Sequence, residues 1–101
     1  MEALPHPPDA KHDKDSTEVL RGWIVEGELQ ISIAPWIWSE QPEEWGRLLA
    51  EAAGHMADAI SKETGKDREE LYETIRKSIA YHLEHPLKTS GDFVDKATPQ
   101  V

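Results

Sequence analysis

Between residues 42 and 62 the apolar side chains keep helical time without a break. Trp45, Leu48, Leu49, Ala52, Ala53, Met56 and Ile60 recur at i, i+3, i+4, i+7, i+8, i+11 and i+15, a spacing that lines them along one face of an α-helix. No other stretch is so regular, so this helix is expected to carry the core, with Leu49 and Met56 inside it. Burying its large aliphatic side chains would contribute roughly 1.5–3 kcal/mol each. Pro42 suits a first turn, where its missing N–H costs nothing, and Glu43 and Glu44 face the positive end of the helix dipole. Ser39 is a candidate N-cap if the first turn starts early. Gly46, Ala50 and Gly54 lie four apart on a neighbouring face, a strip small enough to let another backbone come close.

Downstream, Gly65 can end this helix in the left-handed conformation, and Asp67 followed by Glu70 has the spacing of a capping box. Leu71, Tyr72, Ile75, Ile79 and Leu83 form the stripe of the next helix, which Pro86 ends. The short connection predicts an antiparallel helical hairpin.

Upstream, residues 1–14 hold Pro5, Pro7 and Pro8 among alternating charges and predict a flexible, proline-rich arm with nothing to bury. A first short helix is expected from Asp15 or Ser16, with Glu18 at capping-box spacing, Val19, Leu20, Trp23 and Ile24 as its apolar residues, and Gly27 at its end. The rival is a β-hairpin turning at Glu26-Gly27; the helix is preferred because glutamate does not favour the positive φ that a tight hairpin turn needs at its first position. Leu29, Ile31 and Ile33 then alternate with Gln30 and Ser32 as in a half-buried strand, closed by Pro35. A lone strand cannot satisfy its own N–H and C=O groups. The expectation is therefore a homodimer in which this strand pairs antiparallel with its own copy, Ile31 near the axis. Residues 87–101 read as a flexible tail, whose Phe93-Val94 segment is the alternative, weaker partner for this strand. The fold class is thus α+β: short helix, one strand, long helical hairpin, with a single domain over residues 15–86.

The net charge of −9 works against binding to nucleic acid or anionic membrane. There is no cysteine, which excludes disulfides and thiolate metal sites and suits a cytoplasmic protein. The start of the chain has no apolar run of signal-peptide type. His82 and His85 at i, i+3, with His55 four residues from Glu51, could face one another between helices. They match no known ligand spacing, and His82 is expected as a structural, partly buried histidine. No serine sits in a nucleophile elbow, and the glycines form no phosphate-cradling loop. No catalytic, cofactor-binding or metal residue is therefore assigned, and an enzyme is not expected.

Four tryptophans are many for this length, and Trp36, Trp38 and Trp45 crowd the corner between strand and helix. In a chain this short their first expected role is core, which needs such large buried area; with Leu29, Ile31 and Ile33 they are also the candidate interface or pocket residues. As an interface they imply a small dimeric interaction or regulatory module binding another protein; as a pocket they imply a small apolar ligand.

The run from Glu18 to Trp23, the strand Leu29-Gln30-Ile31-Ser32-Ile33, the corner from Trp38 to Pro42 followed by Trp45-Gly46, and the ending Gly65-Lys66-Asp67-Arg68-Glu69 resemble a family of small bacterial proteins defined as a domain of unknown function. The resemblance spans residues 4–86. It implies a helix, a strand and a helical hairpin, and no activity. The sequence departs from the family pattern at Ser39-Glu40-Gln41, where acidic capping residues are expected, which bears on the helix start alone.

Overall fold

The structure, a computed structural model, describes residues 1–86 and the strand positions Phe93 and Val94. The chain forms two compact units, one of Met1–Ile37 with the Phe93–Val94 strand, the other beginning at Trp38.

In the first unit the expected helix is a strand. β1 (Leu20–Val25) and β2 (Glu28–Ile33) pair antiparallel in full register, Leu20 against Ile33 through Val25 against Glu28. The two-residue turn between them has Glu26 at φ 52 and Gly27 at φ 81, the positive pair that matches the twist of a tight hairpin. Glutamate's reluctance to enter this region is a local cost of about 1–2 kcal/mol; a full ladder of backbone bonds outweighs it. β3 (Phe93–Val94) joins β2 in parallel, opposite Ile31 and Ser32. The sheet thus has two antiparallel strands and this short third, where the sequence predicted one strand. The backbone of β2 finds partners within its own chain, which removes the reason for pairing it with a second copy. Before β1, residues Pro8–Lys11 form a 3-10 turn, and the Ser16 hydroxyl donates to the carbonyls of Ala10 and Asp13. The rest of the expected tail, 87–101, lies outside the described residues.

The second unit is the predicted helical hairpin, α1 (Glu43–Thr64) and α2 (Arg68–Glu84). α1 does not start as expected: Pro42 itself occupies the N-cap position without a side-chain cap, and Ser39 does not cap it. Successive turns lead in instead, Gln41 N–H donating to Trp38 C=O, and Glu44 N–H to Gln41 C=O. The other end follows the sequence. Gly65, at φ 76, donates its N–H to Ser61 C=O, the Ser61 hydroxyl reaches Lys66 C=O, and the Asp67 carboxylate accepts from Glu70 N–H.

Among the described residues only Ala34, Ala53 and Ala57 are buried. This corrects the expectation for Leu49 and Met56, which stand about half exposed at 54% and 51%. The small-residue strip is corrected too. A Cβ on Gly46 would meet nothing within 4 Å, and one on Gly54 would meet only the end of the Arg68 side chain. The close approach belongs to Ala53 and Ala57, one turn apart on the side of α1 that faces α2.

Candidate functional site

Each unit carries one apolar surface. On the sheet, the register places Leu20 with Ile33, Gly22 with Ile31, and Ile24 with Leu29. Residues directly opposite in an antiparallel pair share a face, so five aliphatic side chains and one glycine make a wholly apolar face, with Arg21, Trp23, Gln30 and Ser32 on the reverse. Leu29 leans over the glycine, its Cδ1 lying 3.5 Å from where a Gly22 Cβ would be. Ile24 is 71% exposed, while Ile31 and Ile33 are partly covered. Leu29, Ile31 and Ile33 were legible as one face. Leu20 and Ile24 were missed because their spacing also fits a helix; the signal was the alternation Leu20, Gly22, Ile24, which has period two.

On the hairpin, a groove of about 420 Å³ runs between the first half of α1 and the second half of α2. It is floored by Leu49, Ala50, Ala53, Ile79 and Ala80, with Leu83 at its end. Sequence reasoning placed Leu49, Ile79 and Leu83 in helical stripes without joining them into one surface, because periodicity does not reveal where two helices diverge.

The tryptophans do not converge on a pocket in this groove. Trp38 and Trp45 pack edge to face, centroids 5.5 Å apart, and both are partly covered. Trp38 has φ 57, an uncommon conformation for a bulky residue. Trp36 lies in the turn after β2 and is about half exposed.

Charged side chains pair along the surface. The Arg68 guanidinium links the helices, 2.8 Å from Asp58 and 2.9 Å from Glu69, and sits over the Tyr72 ring at 5.1 Å. Its hydrogen bond to Asp58 holds that carboxyl below the usual aspartate value, and Arg76 does the same for Glu73. A carboxyl whose pKa is lowered on folding adds stability above its unfolded value and loses it as the pH falls through the folded one. Asp58→Asn is therefore expected to lower the thermal midpoint slightly at neutral pH, with the deficit shrinking as the pH falls through the lowered folded value and Asp58 loses its charge. A deficit that stays constant down to strongly acidic pH, by calorimetry, would assign the loss to packing.

His82 and His85 are exposed, which corrects the partly buried position expected for His82. Each turns Nδ1 toward the carbonyl one turn back, Ser78 O at 2.9 Å and Tyr81 O at 3.0 Å. The His85 ring stacks on Tyr81. His55 is exposed on α1. Among the described residues no group of three or more histidines and carboxylates is placed to hold a metal ion, and no helix is long and apolar enough to cross a membrane.

Comparison with known proteins adds a family and a fold. The profile of a domain of unknown function, DUF5076, matches residues 3–87. A solved structure from the photosynthetic bacterium Rhodopseudomonas palustrus, provisionally described as a pyruvate dehydrogenase, is 31% identical, with a TM-score of 0.70 over 89% of this chain and 91% of that one. No curated protein matches the chain.

Proposed function

This chain belongs to the DUF5076 family, and we propose that it is a non-enzymatic, homodimeric interaction module that acts through its apolar surfaces on another protein. One observation carries this reading: among the described residues no side chain larger than alanine is buried, while Ile24, Leu49 and Leu83 are 71%, 54% and 75% exposed. Three alanines cannot offset the entropy of ordering so many residues. A partner surface supplies the missing burial, and a symmetric pair of like chains is the commonest way to provide it. The net charge of −9 keeps such a module away from nucleic acid and anionic lipid, and the lack of cysteine suits work in the cytoplasm.

The dehydrogenase description belongs to the similar structure. Oxidising a 2-oxo acid needs an electron acceptor and a group to stabilise an acyl carbanion, and aliphatic surfaces contribute to neither, so the proposal does not extend to that activity. A tryptophan-lined pocket for an apolar ligand has less support, because Trp38 and Trp45 pack edge to face against each other.

Light scattering on the eluting protein at tens of micromolar is expected to give twice the chain mass of 11.4 kDa, with thermal stability rising with concentration. A monomer that unfolds cooperatively at the same midpoint over a hundredfold dilution would sink the homodimer.

A further inference from the structure

The seam between the helices is filled at Ala57, and a groove opens between the first half of α1 and the second half of α2. Ala57 has no exposed surface, whereas Ile79, Leu49 and Leu83 are 41%, 54% and 75% exposed, and a Cβ on Gly46 would meet nothing within 4 Å. We propose that this open groove is the homodimer interface, and that the hairpin of a second copy seats in it to make a two-fold four-helix bundle. The proposal rests on the homodimer reading above and says where that dimer forms.

Two features favour a second copy. The first is shape. A two-fold interface must complement itself, and this surface carries both parts: Leu49, Ile79 and Leu83 project, while Gly46, Ala50 and Ala80 leave room for projecting side chains. The second is charge. Two copies at −9 each repel, so their contact must avoid carboxylates. The groove lining contains none; its single charged residue is Arg76, whose guanidinium is already bonded to Glu73 at 3.0 and 2.8 Å.

The test uses the full chain and three charge variants, read by light scattering and circular dichroism. Ala50→Glu and Leu83→Glu are expected to raise the dimer dissociation constant by about tenfold or more, because each would bury an unpaired carboxylate. Ile24→Glu, on the apolar face of the sheet, is expected to leave it within about twofold on the same reasoning. Dimers of unchanged affinity in both groove variants, or dissociation by Ile24→Glu alone, would overturn the groove as the interface while leaving the homodimer intact. A monomeric parent chain would overturn both. If the groove variants lose their helical signal, the native lack of cysteine gives a second readout. Leu49→Cys, Ile79→Cys and Leu83→Cys, oxidised singly and in mixed pairs, are expected to yield a covalent dimer from at least one combination. None from any would overturn the proposal.

Discussion

Replacing Ala57 by leucine is expected to cost about 1–3 kcal/mol, because the added carbons meet a seam with no room for them. Ala57 is the one residue with no exposed surface in either helix. It lies one turn beyond Ala53, which lines the groove against α2, and next to Asp58, which Arg68 of α2 binds at 2.8 Å. The helices therefore pack tightly here, and a branched side chain must either twist off its rotamer or force them apart. Leucine is as good a helix former as most residues, so the loss would not come from local propensity. Chemical denaturation checks this: the midpoint should fall with the slope unchanged. A loss below about half a kcal/mol would mean that the hairpin opens at its turn at little cost, and that the alanine seam does not set the spacing of the helices.

The hairpin was legible in the sequence because its signals agree at every level. Gly65 supplies the left-handed stop, Asp67 accepts from Glu70 N–H as its capping spacing demands, and the apolar periods of both helices persist for several turns. The segment around Trp23 was misread because Val19, Leu20, Trp23 and Ile24 satisfy a helical spacing while Leu20, Gly22 and Ile24 satisfy a strand, and so short a run cannot separate the two. The turn could have decided it, but Glu26 takes a positive φ that its residue type disfavours, so tertiary pairing overrode local preference. The burial of the central stripe was overestimated for another reason. Periodicity identifies which side chains share a face, as it did for Leu49 and Met56, yet it cannot tell whether the chain itself covers that face. The candidate tryptophans show the same limit: proximity in sequence anticipated that Trp38 and Trp45 lie together, but not that they pack edge to face on each other.

The sheet offers the second large effect, and it depends on which way each amide points. Ala34 N–H donates to Val19 C=O, and bonded pairs recur at every second position of an antiparallel ladder. Counting back along the register, Ser32 with Arg21, Gln30 with Trp23, and Glu28 with Val25 are the bonded pairs. Leu29, Ile31 and Ile33 aim their amides away from β1. Gln30→Pro would then remove a donor from the centre of the hairpin, strand the Trp23 carbonyl, and push a ring toward the neighbouring strand. The expected loss is about 1–3 kcal/mol for the unsatisfied carbonyl alone, with the steric cost added. Against a total of about 5–15 kcal/mol for a typical native protein, that is a large share, and the central bonds of the hairpin are expected to open far more often. Ile31→Pro is the informative contrast, since its amide points to the side of the short β3 and the β1–β2 bonds would survive. Amide exchange read by NMR at Trp23, Val25 and Ser32 separates the outcomes: protection should vanish in Gln30→Pro and persist in Ile31→Pro. The reverse order would mean that the register is shifted by one residue, which would also turn Leu20, Ile24, Leu29, Ile31 and Ile33 away from a common face.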